Sequence, residues 1–128
     1  MFRILVVDDD ESFRLLVKQV LESAGYSDVQ EATNGLQGMA LLKKADLVLT
    51  DLSMPAMGGV SFVREIRRKP GMENLPIIVL TSENTIETVH RIVRLGVSDY
   101  LLKPFEQEAL IERVRAQERQ SRNRAGAR

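Results

Sequence analysis

A doubly wound α/β domain with five parallel strands and five helices is predicted by three features of the 128-residue chain. Short continuous apolar runs rich in β-branched residues recur along it, as expected of strands buried on both faces. Segments of helical period alternate with those runs, and strands separated by helices return parallel through right-handed crossovers, with helices on both faces of the sheet. The length suits one domain with a single core and leaves no room for a second.

Ile4, Leu5, Val6 and Val7 form the first apolar run. Phe13, Leu16, Val17, Val20, Leu21 and Ala24 then recur at intervals of three and four and stop at Gly25, which defines an amphipathic first helix. Val29 marks a weak second strand, and the turn Asn34-Gly35 opens a second helix over residues 36–42. Residues 47–50 form the third strand and 60–66 the third helix, followed by the turn Pro70-Gly71. Residues 77–80 are the fourth strand and 86–93 the fourth helix. Leu101 and Leu102 mark a weak fifth strand, and residues 109–114 the last helix. The domain is expected to span residues 1–120. Residues 121–128 are expected to be a basic, flexible tail, since Arg119, Arg122, Arg124 and Arg128 crowd a terminus and termini commonly lack tertiary contacts.

Eighteen Lys and Arg balance eighteen Asp and Glu, so net charge argues for no anionic partner; no nucleic acid is expected for this chain alone. Cysteine is absent, which excludes disulfides, thiolate zinc sites and cysteine nucleophiles and leaves a metal only oxygen ligands or His90. No apolar run approaches the roughly 20 residues that span a bilayer, and the first run reaches three aspartates too soon for a secretory leader. The expected compartment is the cytoplasm, without a membrane partner.

The polar residues after each strand carry the functional information. Asp8-Asp9-Asp10 follows the first strand, Asp51 the third, Thr81-Ser82-Glu83 the fourth and Lys103-Pro104 the fifth. Ligands of open parallel sheets bind at the carboxyl ends of the strands, near the point where strand order reverses, so these groups are expected to share one crevice. Three carboxylates brought together repel one another and invite a hard cation, and Mg²⁺ accepts a few carboxylates together with water and phosphate oxygens. Acid pair, lone acid, hydroxyl and lysine are the inventory of phosphoryl transfer. Asp10, Glu11 and Ser12 instead suit the cap and first turn of the first helix.

In this order and spacing the chain resembles the receiver domains of two-component response regulators, over about residues 3–117. The resemblance rests on Ile4-Leu5-Val6-Val7-Asp8-Asp9, on Asp46-Leu47-Val48-Leu49-Thr50-Asp51 with Met54-Pro55-Ala56-Met57-Gly58-Gly59, on Thr81-Ser82-Glu83 and on Tyr100-Leu101-Leu102-Lys103-Pro104-Phe105. It implies that Asp51 accepts the phosphoryl group, that Asp8, Asp9 and Asp51 with the Ser53 carbonyl hold Mg²⁺, and that Lys103 pairs with a phosphoryl oxygen. Thr81 is implied as the switch hydroxyl and Tyr100 as the aromatic that follows it, with Lys103-Pro104 cis. Ser53 and Glu83 hold positions that tune phosphoryl lifetime in the family. Gly58 departs from the family's usual Asp or Asn and removes a possible cap from the third helix.

The implied partners are a sensor histidine kinase or histidine phosphotransfer protein as donor, and a downstream effector or a second copy of the chain at the surface of helix four, strand five and helix five. The chain is then a signalling domain that catalyses only its own phosphorylation and dephosphorylation. A dehalogenase-like phosphatase would need a second aspartate where Ser53 stands. A docking-only relative would lack the acid pair, the acceptor or the lysine, and all are present. Taken singly, Thr81 could cap helix four, Tyr100 could be a buried strand-edge residue and His90 a surface residue.

Overall fold

A computed structural model describes residues 1–54 and 56–126 of the chain. Pro55 of the Met54–Gly59 stretch lies outside the described residues, as do Ala127 and Arg128 at the end of the expected tail. The elements run β1 (Ile4–Val7), α1 (Glu11–Ser23), β2 (Val29–Ala32), α2 (Gly35–Leu41), a 3₁₀ turn (Leu42–Lys44), β3 (Leu47–Thr50), α3 (Gly59–Arg68), β4 (Ile77–Thr81), α4 (Ile86–Arg94), β5 (Asp99–Leu102) and α5 (Gln107–Gly126). All five strands join one parallel sheet in the order β2-β1-β3-β4-β5.

Alternation along each strand divides the core between the two faces. Ile4, Val6, Leu47, Leu49, Ile78 and Leu80 pack with Val17, Leu21, Leu110 and Val114 of α1 and α5. Leu5, Val7, Val48 and Ile77 pack on the other side with Phe62, Val63 and Ile66 of α3. Val79 and Ile92 of α4 form a smaller cluster with Leu52, against which Tyr100 rests. Because both faces are covered, the apolar runs are continuous, the pattern expected from the sequence.

The order reverses between β1 and β3, where the register pairs Val7 with Thr50 and Asp51 N–H donates to Val7 O at 3.1 Å. Asp8 and Asp51 therefore leave the sheet side by side. At the other edge, Thr81 pairs with Leu102, so that Lys103 follows directly and donates its N–H to Thr81 O at 2.8 Å. The Lys103-Pro104 bond is cis.

Three details differ from what the sequence suggests. Leu16, placed on the apolar stripe of α1, is 48% exposed. Thr85 caps α4, accepting Thr88 N–H at 3.2 Å, so the alternative reading of Thr81 as that cap does not hold. The last helix extends from Gln107 to Gly126, so it crosses the expected division at residue 120. Its buried side includes the polar Gln117, which interrupts the apolar period that would have shown its length. Asp10 does cap α1, accepting the N–H groups of Ser12 and Phe13 at 3.0 and 3.2 Å, and α3 begins at Gly58 without a side-chain cap.

Candidate functional site

The carboxyl ends of β1, β3, β4 and β5 bring the expected residues together. One carboxylate oxygen from each of Asp8, Asp9 and Asp51 lies within 4.8 Å of the others, a set of hard donors that can hold a divalent cation. Asp8 is buried, Asp51 half-buried and Asp9 exposed, so the cluster opens to solvent on one side. Asp8 is fixed through Oδ1, which accepts Asp10 N–H at 2.9 Å, and its carbonyl accepts Arg14 Nη1 at 2.7 Å.

Lys103 supplies the positive charge. Its Nζ lies 3.1 Å from Asp8 Oδ2 and 3.5 Å from Asp51 Oδ2, so one ammonium is shared by two acids. Burial pushes the Asp51 carboxyl up; Lys103 and the Leu52 N–H, at 2.7 Å from Oδ1, pull it back, Asp8 pushes it up again, and the balance lies above the ordinary aspartate value.

Beneath the ammonium sits Phe13, its ring centroid 3.9 Å from Lys103 Nζ, with Phe105 packed edge-on against it at 6.0 Å. The sequence reading gave Phe13 only a core role, since helical spacing says nothing about which charge a ring will face. Gly59 holds the Asp51 end of β3 from the other side. Its N–H donates to Leu52 O at 2.8 Å, and a Cβ there would run into the Asp51 carbonyl. Helix α3 can thus begin directly under the acid.

Thr81 is buried and its Oγ1 accepts Glu83 N–H at 3.1 Å, while its own hydroxyl proton has no acceptor among the described residues. Glu83 bridges two elements: Oε2 lies 3.4 Å from Ser53 Oγ, and Oε1 accepts Thr88 Oγ1 of α4 at 3.3 Å. Thr85 Oγ1 donates to Thr88 Oγ1 at 2.9 Å and completes the chain. No sequence signal distinguishes these threonines from ordinary cap residues. Tyr100, paired with Val79 two residues before Thr81, shares that strand's face. His90 is exposed on α4 and is not part of the carboxylate cluster. A cleft of about 830 Å³ lies at the opposite end of the sheet, beside Phe2, Asp46, Pro76 and Arg124, and includes none of the candidate site residues.

Residues 4–115 match the response regulator receiver domain family. The chain belongs to that family. It is 36% identical over 114 residues to the chemotaxis protein CheY-3 of Vibrio cholerae, a match covering 88% of each protein. It is also 39% identical over 116 residues to the DNA-binding dual master transcriptional regulator RpaA of Synechocystis, of which it spans 48%. The solved structure of the chemotaxis response regulator CheY4 of Vibrio cholerae superposes with a TM-score of 0.83 at 34% identity, over 91% of this chain and 98% of that one. The receiver fold and its place in phosphorelay signalling follow, and no described helix is long and apolar enough to cross a membrane.

Proposed function

We propose that this receiver takes a phosphoryl group onto Asp51 from a phosphohistidine of a sensor kinase or phosphotransfer protein. The observation that carries the reading is the shared ammonium: one Lys103 serves Asp8 and Asp51 while Asp9 adds a third carboxylate, which leaves the acceptor poised for further positive charge. Asp8, Asp9 and Asp51, with the Ser53 carbonyl, would hold Mg²⁺. When bound, that ion neutralises charge on the acceptor and on the phosphoryl oxygens.

A carboxylate oxygen of Asp51 attacks phosphorus; the new P–O bond forms as the P–N bond breaks, and the imidazole leaves with the electron pair and takes up a proton. Lys103 answers one phosphoryl oxygen, and Thr81, with its hydroxyl proton free, donates to another. Tyr100, on the same side of the sheet as Thr81, then follows it inward and alters the surface of α4, β5 and α5, where an effector or a second copy binds. Self-phosphorylation and its reversal are the only chemistry this reading assigns, and the chain works in the cytoplasm.

Intact mass after incubation with acetyl phosphate tests the proposal. One phosphoryl group should be gained with Mg²⁺, none with chelator, and none by Asp51→Asn. An adduct that survives in Asp51→Asn would move the acceptor elsewhere. No adduct on the native chain in Mg²⁺ would favour a docking module.

A further inference from the structure

Away from the carboxylate cluster, the fold gathers arginines that nothing neutralises. Arg64 of α3 and Arg91 and Arg94 of α4 line a cleft of about 500 Å³, completed by Val60 and Leu95. All three are exposed, and among the described residues none makes an ion pair or a side-chain hydrogen bond. This is unlike Arg3, Arg14, Arg68, Arg113 and Arg122, each of which lies against a carboxylate. The acids nearest in sequence do not answer: Glu65 pairs with Arg68, and Glu87 stands in the first turn of α4. In a chain of zero net charge, this edge carries segregated positive charge.

Arg67 fixes the cleft and adds to its field. Its guanidinium reaches only carbonyls: Gly96 O at 3.0 Å from Nη2, Leu75 O at 2.9 Å and Met72 O at 3.3 Å from Nη1. The Gly96 contact ties α3 to the turn that ends α4, and so sets Arg64 against Arg94. Arg91 and Arg94 alone could be explained by the carboxyl-terminal end of the α4 dipole. Arg64, near the middle of α3, gains nothing from a dipole and faces the same cleft.

Guanidinium forks match phosphate oxygens two at a time and give up water more readily than ammonium, so three of them on two helices exceed what one carboxylate can use. We propose that the α3–α4 cleft binds a small anion with two linked phosphates, of the nucleoside diphosphate class, through Arg64, Arg91 and Arg94, with Val60 and Leu95 against its less polar part. The arginines converge on a cleft and do not form a stripe along one helix, which favours a small anion over a nucleic acid backbone. The cleft uses none of the carboxylates around Asp51.

The test titrates pyrophosphate and ADP into the full chain at low ionic strength with chelator present, following the amide NMR spectrum. Saturable shifts are expected around residues 60–68 and 90–96, and Arg91→Gln/Arg94→Gln should weaken binding by about tenfold or more. Asp51→Asn and Arg122→Gln should bind as the native chain does. Thermal melting and acetyl phosphate uptake check that the double variant is folded; if it is not, Arg64→Gln replaces it. Absent or non-saturating shifts, shifts elsewhere, or undiminished binding by the variants would overturn the proposal. So would a DNA duplex that shifts these amides where pyrophosphate and ADP do not.

Discussion

Strand β3 is bracketed by two aspartates that meet opposite fates. Asp46, just before it, is held by one arginine: the Arg3 backbone N–H reaches Oδ2 at 2.8 Å, Nε the same oxygen at 3.1 Å, and Nη2 reaches Oδ1 at 3.3 Å. Burial pushes the Asp46 carboxyl up, but these bonds outweigh it and leave the group below the ordinary aspartate value. Asp51, just after the strand, shares its lysine with Asp8 and ends above that value. One acid is matched by one cation at the amino end of the sheet, while three acids meet one cation at the carboxyl end. The first arrangement is complete within the chain. The second leaves acids in excess of the cation beside them, the imbalance typical of a binding site.

The sharpest way to break this contrast is to remove the shared cation. Lys103→Met should slow phosphorylation by acetyl phosphate by about 10²–10³-fold, the usual cost of losing one electrostatic partner of a transition state. Time-resolved intact mass measures it. Binding of Mg²⁺, followed by thermal shift, should persist in that variant, because the carboxylates that hold the ion remain. A near-native rate would mean that Lys103 only stabilises the resting acids.

The two aspartates themselves give the next effect, with opposite signs. Asp46→Asn should destabilise by about 1 kcal/mol, since a solvent-screened ion pair is lost along with charge-assisted hydrogen bonds, and thermal melting should fall by a few degrees. Because the folded carboxyl titrates below its unfolded value, this contribution is present above the unfolded value, near 3.9, and fades as pH drops through the folded one. Asp51→Asn should instead raise the melting temperature in chelator. Its folded value is raised, so the ionised form burdens the native state, stability falls as pH rises from the unfolded to the folded value, and the amide removes that burden. With saturating Mg²⁺ the order should invert, as the native chain, with all three carboxylates, gains more from the ion. If both variants melt lower in chelator, Asp51 is as fully compensated as Asp46.

The same contrast explains what could be read from sequence. The strands and the residues that follow them were legible because double burial writes a continuous apolar run, and the register then carries Asp8, Asp51 and Lys103 to one place without further information. Reach across space was not legible. The Phe13 ring under Lys103, the bridge from Ser53 through Glu83 to Thr88, and the α3–α4 arginines are contacts between elements, and no local period encodes them. The full length of helix α5 is hidden in the sequence for a related reason: Gln117 is polar and buried, and the arginines beyond Val114 look like solvated chain whether or not they are helical.

The smallest expected effect concerns backbone conformation at the same two ends. The helix-to-strand turns at the amino ends of the strands take their positive φ on Gly25, Gly71 and Gly96, where it costs no side-chain clash. In the loop after Asp51, Ala56 takes φ +65°, a conformation that costs an L-residue roughly 1–2 kcal/mol. Ala56→Gly relieves that cost but adds freedom to the unfolded chain worth roughly 0.5–1 kcal/mol, so a net gain of about 0.5 kcal/mol is expected. Gly25→Ala should lose about as much, because it introduces the backbone cost that Ala56→Gly removes while its new Cβ meets nothing. Denaturant midpoints of the two variants measure the difference. If Ala56→Gly is also slower to take phosphate from acetyl phosphate, the strained alanine positions the loop at the acceptor; if only the midpoint moves, the strain is tolerated there without being used.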